Sequence, residues 1–440
     1  MKRIMKIILV FVSLSSLYVQ AQAITLEEFL DRVEQYSNDI RLAEEGRKLA
    51  GAQKSGAVAG ALPHLNAQAG YNRNLSDLYM YADMGSLSGD PNAGTSKLRI
   101  NKDNEYSFNL VATQTLFNGT VFNAIKASNQ YKRLTDYVYD ASYQGVITGA
   151  KVAFYQALLL KKVWEVSRSS EQNAYENYLN VKTGFDNGLV SEFDLLQAEV
   201  RHRDAVPKVT ESERNYKIAL LSLKNMAGIT SDEVIVLEGS LDDYPDMPES
   251  SGVKTILKQR PDYNALLWEE RLRKTNVNAQ KSNYLPSLTG SFTYAFSSQS
   301  DEWSFDDKND AYILGLNLSI PIFNGGAIRA GVQQAKIELD KTKISISQAE
   351  DDIEEQVTGT RLKLEEAFGR IESAESTLRA AEKAFGIAEA TSQAGLATQL
   401  ELKDSRVVLD QATVGYYSAV FDYLVACFEW DYIAGSVSKY

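Results

Sequence analysis

The sequence is poor in the residues that carry most enzymatic and metal chemistry. Its 440 residues include one cysteine and two histidines. A single thiol cannot form an intramolecular disulfide, and Cys427 stands in an apolar stretch, which indicates a small buried core residue. His64 starts a strand pattern and His202 occupies a core-type heptad position, so we expect structural roles for both. Phosphate-loop, HExxH and nucleophile-elbow motifs are absent, and we expect neither an enzyme nor a cofactor or metal site.

Long apolar runs and a basic surface are missing as well. After the N-terminal leader, no segment holds the roughly 18–20 consecutive apolar residues that a membrane-spanning helix needs. The formal net charge is −12 at pH 7. No basic stripe is visible, which disfavours a nucleic-acid partner.

The N-terminus has the pattern of an export signal. Three basic residues within the first six precede the apolar run 7–12, and the small-residue site AQA ends at Ala23. This pattern predicts a signal peptide, residues 1–23, that is removed after Ala23. Because no cysteine follows that site, we expect no lipid anchor there.

Self-similarity is the strongest feature that the chain does have. Four short motifs recur in both halves in the same order. They are LP at 62–63 and 285–286, FNG at 117–119 and 323–325, GLVSEFD at 188–194 against GLATQLE at 395–401, and AG at 227–228 and 434–435. Two long copies are too few for a solenoid array, so we interpret them as one unit fused head to tail.

The duplication predicts how the mature chain is divided. Each repeat reads as a short helix, a β-hairpin and a long helical hairpin. We expect a first repeat at 24–228, an acidic linker at 229–252, a second repeat at 253–435 and a C-terminal tail at 436–440.

Alternating apolar and polar residues predict four β-strands, two in each repeat. The patterns lie at 106–113, 288–296 and 312–320, with a weaker one near 65–71. Segments of about ten residues that alternate in this way, with aromatic residues at their ends, are typical of a membrane barrel. Two soluble hairpins packed on a helical domain would give the same pattern, so the strands alone leave both interpretations open.

Four strands from one chain would leave two open sheet edges. In hydrocarbon each unpaired backbone group costs several kcal/mol, so an isolated four-stranded sheet would be unstable in a bilayer by roughly tens of kcal/mol. Either the sheet lies outside the membrane or several chains share one barrel, and three chains would supply twelve strands. The polar connections 72–104 and 297–309 are predicted to be exposed loops.

Apolar heptads predict very long helices. From 327 to about 394 the sequence has no proline, and a seam that begins at Val332 repeats every seven residues to Ile353, before the phase slips by four at Val357. Alanine-rich rows accompany each seam, and the return helix repeats in the same way. A seven-residue repeat of apolar positions that continues over several turns indicates left-handed coiled coils with closely packed neighbours. In the first copy, Glu171 interrupts the pattern.

Taken together, these features resemble the TolC family of outer-membrane efflux and secretion channels. The resemblance covers about residues 24–435 and rests on the duplication, the Leu-Pro entries, the FNG turns and the Gly-x-x-Ser/Thr-x-x-Asp/Glu tips. It implies an α+β membrane protein: a homotrimeric twelve-stranded β-barrel in the outer membrane, with four strands per chain, which continues into a twelve-helix α-barrel in the periplasm.

The resemblance also implies a function and partners. The chain would be the passive exit duct of a tripartite efflux pump or a type I secretion system. Its partners would be two further copies of itself, outer-membrane lipid, a periplasmic adaptor (membrane fusion) protein and an inner-membrane transporter of the RND, ABC or MFS type.

The resemblance further assigns roles to particular residues. It implies an acidic constriction at the periplasmic gate, formed by Asp194, Glu401 and Asp404. It implies adaptor docking at the two helix tips, at Gly188, Leu189, Val190, Ser191, Gly395, Leu396, Ala397 and Thr398. It implies strand-to-helix turns at Pro63, Phe117, Asn118, Gly119, Pro286, Phe323, Asn324 and Gly325.

The second tip departs from the family pattern. Family members carry a tyrosine and an arginine there that tether it to the first tip, and the matching positions are Ser392 and Ala397. Without that ionic lock, a closed state must use other contacts, such as apolar ones from Leu396 and Leu400. Lys403 is close to the acidic pair and would offset part of its repulsion.

An exported coiled-coil spacer or adhesin without channel activity is the alternative function. That hypothesis explains the heptads, but it explains neither the paired hairpins nor the duplication. A third hypothesis, an outer-membrane enzyme with a helical arm, lacks any catalytic constellation.

Overall fold

The computed structural model describes residues 22–83, 95–394, 396 and 398–437, and for Gln22, Asp83, Gln393 and Gln399 it describes the backbone only. Several predictions fall on the remaining residues. Most of the expected signal peptide, the centre of the first long loop, the tip residues Gly395 and Ala397, and the last three residues of the tail lie outside the described residues.

The described residues form eight helices and eight strands. The helices are α1 Leu26–Tyr36, α2 Asn38–Ala59, α3 Gly119–Asp186, α4 Glu192–Met226, α5 Val253–Gln259, α6 Pro261–Ser282, α7 Ala327–Gln393 and α8 Gln399–Ala434. The strands are β1 Gln22–Ile24, β2 His64–Arg73, β3 Tyr79–Asp83, β4 Thr95–Arg99, β5 Asn104–Phe117, β6 Ile235–Leu237, β7 Ser287–Ser300 and β8 Asp307–Ser319. None of these helices has the length and apolarity needed to cross a bilayer.

These elements fall into two compact units. The helical unit comprises the described parts of Met1–Glu44, Tyr139–Pro261 and Glu350–Tyr440. The sheet unit comprises those of Glu45–Val138 and Asp262–Ala349.

A four-stranded antiparallel sheet forms the centre of the sheet unit. Its strand order is β2-β5-β7-β8, so β5 of the first repeat pairs with β7 of the second, and β2 and β8 are the edges. The four strands match the four segments that the alternation predicted, except that β8 ends at Ser319, one residue before the predicted end. That part of the prediction is confirmed. The two repeats therefore contribute one hairpin each to a single sheet.

The two faces of this sheet differ in chemistry. One face, which we call the apolar face, has a row formed by Ala67, Leu110, Tyr294 and Tyr312, and a next row formed by Leu65, Ala112, Phe292 and Leu314. The opposite, polar face has rows formed by Gln68, Asn109, Ala295 and Ala311, and by Gly70, Ser107, Ser297 and Asn309. Because side chains alternate along a strand, the row of Asn66, Val111, Thr293 and Ile313 also lies on the polar face, which is therefore polar in most but not all of its positions.

The connection at 72–104 is mostly exposed where it is described, as predicted, and it contains a separate antiparallel hairpin formed by β3 and β4, which was not predicted. The Arg99 guanidinium contacts Asp77 at 2.9 Å, Asp103, and Asp301 of the second loop at 3.2 Å. One cation shared by three carboxylates thus connects the two loops. The second loop is also shorter than expected, since its strands leave only 301–306 between them.

Long helices make up most of the helical unit, and their heptad seams are buried. In α7, Ile353, Val357, Leu364 and Ile371 are all buried, so burial continues through the predicted four-residue phase slip. In α8 the alanine row is buried as well, at Ala412, Ala419 and Ala426. The structure confirms these seams.

The interruption of the first-copy heptads has a structural partner. Glu171 of α3 lies 3.0 Å from His202 of α4, measured between Oε1 and Nε2. The rings of Tyr175 and Tyr178 contact the imidazole at centroid distances of 4.9 and 6.2 Å. The two positions that depart from the apolar seams therefore satisfy each other's polar groups.

The acidic segment between the repeats is attached to the helical unit at both ends. Strand β6 pairs in parallel with β1, which includes Ala23 of the expected signal peptide. Further along, the Tyr423 hydroxyl of α8 donates to the Pro245 carbonyl at 3.0 Å. The segment is therefore more ordered than a plain linker.

Each repeat ends in a glycine with a left-handed backbone, and we predict a large effect of replacing the second one. Gly435 has φ +69°, and a Cβ there would lie 2.8–3.0 Å from backbone atoms of Gln259 and Arg260. Gly435→Ala should therefore lower the free energy of unfolding by about 2–4 kcal/mol, because the strain of a left-handed backbone adds to a clash with main-chain atoms that cannot rotate away.

Gly415→Ala is the matched control for this substitution. Gly415 lies in α8 with no atom within 4 Å of an added Cβ. A mid-helix glycine-to-alanine change should stabilise the protein by up to about 1 kcal/mol. Thermal unfolding followed by circular dichroism should move the two midpoints in opposite directions, and equal shifts would contradict the packing at Gly435.

Candidate functional site

The first helix tip is the tight turn between α3 and α4. Gly188 has φ +73°, and the N–H groups of Gly188 and Leu189 donate to the carbonyls of Phe185 at 2.8 Å and Gly184 at 2.9 Å. This pair of bonds is the Schellman ending of a helix. A Cβ on Gly184 would lie 2.6 Å from Val190, so the missing side chain at 184 allows the turn to fold back.

The second helix tip, between α7 and α8, repeats part of this geometry. The Leu396 N–H donates to the Thr391 carbonyl at 2.9 Å, the same five-residue step that joins Leu189 to Gly184. Ser191 caps α4 and Thr398 caps α8, each by accepting a hydrogen bond from the N–H three residues later. The repeated tip motif therefore corresponds to a repeated backbone geometry.

Two of the three predicted constriction acids also take part in helix caps. The Ser191 hydroxyl donates to the Asp194 carboxylate at 2.6 Å. The Glu401 carboxylate accepts from the Thr398 N–H at 2.8 Å and from its hydroxyl at 3.0 Å. The backbone bond, followed by the hydroxyl bond, lowers the pKa of Glu401. These carboxylates therefore hold the tips in shape as well as carrying charge.

Asp404, the third acid, lies in the field of Arg201, a half-buried residue of α4. Burial lowers the pKa of Arg201, and the charges of Asp404 and Asp194 offset part of that shift. One cation thus interacts with an acid from each tip. The sequence reasoning missed Arg201, although its spacing of seven residues from Asp194 places both on one helix face.

Arg406 of α8 joins the two helical hairpins near their tips. Its Nη2 donates to Ser169 Oγ of α3 at 3.1 Å, its Nε lies 2.9 Å from Asp410 Oδ1, and its guanidinium lies over the Phe385 ring of α7 at 5.3 Å from the centroid. The Arg406 and Asp410 side chains are only 17% and 21% exposed. We call Arg406, Asp410, Ser169 and Phe385 the arginine clasp.

Burial also perturbs the acid of the arginine clasp. It raises the pKa of Asp410, and a hydrogen bond from Ser170 and the charge of Arg406 offset part of that rise. The carboxylate therefore depends on these two neighbours for its charge. Sequence analysis missed the clasp because Arg406 and Ser169 are 237 positions apart.

The tips expose large apolar side chains. Leu189 and Leu396 are each 82% exposed, and Phe193 and Leu400 are exposed as well, while Val190 is half-buried. The expectation that Leu396 and Leu400 hold a closed state through apolar contacts stays a prediction, because it concerns contacts between assembled chains.

Two other residues of the second tip were expected to bear on its closure. Ser392, at a position of the missing ionic lock, is half-buried, whereas Ala397 lies outside the described residues. Lys403 is exposed and forms no ion pair within the part of the chain that the structure describes. The predicted offset of the acidic charges by Lys403 therefore involves no direct ion pair among the described residues.

The strand-to-helix turn of the first repeat is capped by a side chain. Asn118 Oδ1 accepts from the N–H groups of Thr120 at 2.9 Å and Val121 at 3.3 Å, which starts α3. A Cβ on Gly119 would lie 2.8 Å from Ser282, so glycine permits the close approach of α6.

The matching turn of the second repeat relies on backbone conformation. Gly325 and Gly326 have φ +63° and +86°, and the Asn324 carbonyl accepts from the Ala327 N–H at 3.2 Å. Phe323 is 89% exposed, and Phe117 is exposed too. Pro63 immediately precedes β2, and Pro286 precedes β7. The predicted turn residues thus lie where each strand meets a helix.

Known proteins resemble nearly the whole chain. A family model described as Outer membrane efflux protein matches residues 29–229 and 252–419. The outer membrane protein TolC of Salmonella enteritidis is 21% identical over 451 residues, which cover 100% of this chain and 87% of that protein. The alkaline protease secretion protein AprF of Pseudomonas aeruginosa is 21% identical, over 93% of this chain and 83% of that protein.

A solved structure shares the fold. The CmeC outer membrane channel of Campylobacter jejuni matches with a TM-score of 0.78 at 18% identity, over 93% of this chain and 85% of that chain. The combination of a four-stranded sheet with long helical hairpins is therefore the α+β fold of such channels.

Proposed function

Because the chain belongs to the outer membrane efflux protein family, we propose that three copies form one passive conduit with a shared twelve-stranded barrel and a shared twelve-helix tunnel. Members of this family are channels rather than enzymes. The chain is an exit channel for efflux or secretion in the outer membrane of a Gram-negative cell, with its tunnel in the periplasm.

The main support for the proposed trimer is the amphipathic sheet, which has two unpaired edges. Its apolar face suits lipid and its polar face suits a water-filled lumen. The edge strands β2 and β8 span 10 and 13 residues. About half the backbone groups of an edge strand point away from its partner, and leaving them unpaired in hydrocarbon would cost roughly tens of kcal/mol. Pairing β8 of one copy with β2 of the next removes that cost.

The tips are the proposed periplasmic gate and docking surface. Threefold symmetry would bring Asp194, Glu401 and Asp404 of three chains around one axis as an acidic constriction. The exposed Leu189 and Leu396 would contact a periplasmic adaptor, which connects the conduit to an inner-membrane transporter. The names of TolC and AprF, an outer membrane protein and a protease secretion protein, support a role in such export systems.

The division of the chain is part of the same proposal. A signal peptide at 1–23 is removed on export, repeats at 24–228 and 253–435 each supply one hairpin and one helical pair, and an acidic segment at 229–252 joins them ahead of a tail at 436–440. Mass spectrometry of the mature N-terminus tests this boundary. Cleavage after Ala23 would remove most of β1, the strand that pairs with β6.

Reconstitution tests the proposed function directly. The purified full chain should have the mass of a trimer in detergent, migrate on a gel as a heat-modifiable band, and insert into planar bilayers as a conducting pore. A stable monomer without conductance would overturn the proposal and would favour an exported spacer or adhesin.

Neutralising two tip acids should change the selectivity of that pore. In the variant Glu401→Gln with Asp404→Asn, we expect a lower preference for cations and weaker block by multivalent cations, measured as reversal potentials and block constants in planar bilayers. Glutamine preserves the capping box of Thr398, so the tip fold should survive. The matched control is Asp232→Asn with Glu233→Gln in the joining segment, and equal effects of both variants would place the constriction elsewhere.

A further inference from the structure

The helix segments next to the sheet have an unusual charge distribution. Four such segments, 46–62, 118–135, 271–286 and 320–337, contain twelve lysines and arginines and no aspartate or glutamate. With 58 acidic residues in 440, these 69 residues would carry about nine acids at the average density of the chain. All four segments belong to the sheet unit. This end of the sheet is therefore strongly basic in a chain whose net charge is −12.

Four of these cations lie closest to the sheet, and a fifth, Lys336, shares a groove with one of them, Arg329. Lys54 precedes the end of α2, Lys281 precedes the end of α6, Lys126 follows the start of α3, and Arg329 follows the start of α7. Each of the four is within seven residues of its helix end, hence within about 11 Å of it at 1.5 Å per residue. We call these five residues the basic collar.

The basic collar is not neutralised by any residue that the structure describes. None of its five side chains forms an ion pair or hydrogen bond with another residue in the described ranges. Lys126, Lys281, Arg329 and Lys336 are exposed, and Lys54 is half-buried. By contrast, Arg47 and Arg273 pair with Asp136 at 3.1 Å and Glu269 at 2.9 Å. Further along the same helices as the collar, Lys132, Arg133 and Lys274 also form no ion pair among the described residues. The collar cations are therefore available to an external anion.

Two collar cations share a groove that is beside apolar surface. Arg329 and Lys336 line a groove of about 220 Å³ together with Tyr284, Val332 and Gln333. The adjoining turn leaves Phe323 89% and Ile322 95% exposed. Cations next to exposed aromatic and aliphatic side chains are typical of protein surfaces at a membrane interface, where the apolar groups enter the acyl region and the cations reach headgroups.

We propose that the basic collar is a binding site for anionic phospholipid headgroups of the periplasmic leaflet, with the Arg329–Lys336 groove as its best-formed part. This inference rests on the proposed membrane barrel, because that barrel brings the end of the apolar face to the leaflet boundary. The phosphodiester supplies the charge that the chain does not provide, and one acyl chain lies against Ile322 and Phe323. Basic pockets at the membrane boundary bind anionic headgroups in this way.

The test measures lipid retention by the full-length assembled protein. Native mass spectrometry of the detergent-solubilised protein, titrated with phosphatidylglycerol or phosphatidylcholine, should show a preference of about tenfold for the anionic lipid. The collar-neutral variant should lose that preference. It carries Lys54→Gln, Lys126→Gln, Lys281→Gln, Arg329→Gln and Lys336→Gln.

A matched control removes the same number of positive charges, but from the helical unit. It carries Lys161→Gln, Arg168→Gln, Lys182→Gln, Lys254→Gln and Lys383→Gln, none of which forms an ion pair among the described residues, and it should retain the lipid preference. If the collar-neutral variant does not fold, Arg329→Gln with Lys336→Gln alone should still reduce the preference several-fold.

Three results would overturn the proposal. Equal lipid preference of wild type and collar-neutral variant would refute it. Competition by inorganic phosphate at concentrations equal to the lipid would show a site for free phosphate. A changed ion selectivity with unchanged lipid retention would place the cations along the pore. Failure of the wild-type protein to conduct counts against the proposed function, whereas normal conductance without lipid preference counts against the collar alone.

Discussion

Replacing Phe292 by arginine should abolish assembly in the outer membrane, whereas replacing the next residue, Thr293, by arginine should leave the trimer intact. The two residues are consecutive on β7, so they lie at the same depth in the sheet. Phe292 belongs to the apolar face, between Ala112 and Leu314, and Thr293 points to the polar face. The two variants therefore test which face of the sheet contacts lipid.

The expected effect of Phe292→Arg is large because it is multiplied by symmetry. An arginine on the lipid side of a barrel costs about 2–4 kcal/mol near the bilayer midplane. Three copies in one barrel would cost about 6–12 kcal/mol, which is comparable to the whole stability of a typical domain. On the lumen side, the guanidinium of Thr293→Arg remains in water and should shift selectivity toward anions instead.

Heat-modifiable gel migration and outer-membrane fractionation give the readout for both variants. Phe292→Arg should yield monomer or degraded protein, and Thr293→Arg should give the wild-type band with altered reversal potential. A normal trimer for Phe292→Arg would show that the apolar face is not in hydrocarbon. Loss of the trimer for both variants would indicate a sheet packed on both faces, as in a soluble hairpin domain.

The strands and helices could be predicted because they depend on local periodicity. The alternation at 288–296 predicts a strand, and the heptads through Ile353 and Val357 predict a buried side of a helix; the structure has the strand and buries both residues. The hairpin β3–β4 was missed because its strands have only five residues each, too few for alternation to stand out among turn residues. Short strands depend on contacts that lie elsewhere in the chain, here the ion pairs of Arg99.

The candidate site was predictable only in its local part. The tip motif fixed the turns and the caps because Gly188, Ser191 and Thr398 act on neighbouring backbone groups. Arg201 and Arg406 were not found, since each derives its role from residues of other helices. Sequence spacing within one helix indicates a face, but it does not identify the helix that packs against that face.

The cap contacts change how the tip acids should be interpreted. A carboxylate that accepts hydrogen bonds from its own helix start is stabilised whether or not a channel exists. Glu401 and Asp194 therefore have a structural role that explains their recurrence at equivalent places in the two repeats. Asp404 has no cap partner, so its charge is available to Arg201 and to ions. Among the three acids, Asp404 carries the strongest case for a role in the gate.

Removing Arg406 should open the conduit more than any single tip substitution. The arginine connects α8 to α3 through Ser169 and covers Phe385 of α7, so its loss frees the two helical hairpins from each other near the tips. Because Arg406 and Asp410 are mostly buried, Arg406→Ala also leaves a carboxylate without its counter-charge. The hydrogen bond from the charged Arg406 to Ser169, which joins the two hairpins, is worth about 2 kcal/mol, and its loss would shift an open–closed equilibrium about thirtyfold.

Single-channel recording should show this shift as a higher open probability or conductance of Arg406→Ala. Arg406→Ala with Asp410→Asn should be milder than the single variant, since it removes the unpaired charge along with its partner. Arg361→Ala is the matched control, because Arg361 is 61% exposed and, among the described residues, pairs only with Glu365 on its own helix. An exposed pair of that type contributes less than about 0.5 kcal/mol. If Arg406→Ala and Arg361→Ala give the same recordings, the arginine clasp does not hold the closed tip, and closure must come from contacts between neighbouring chains.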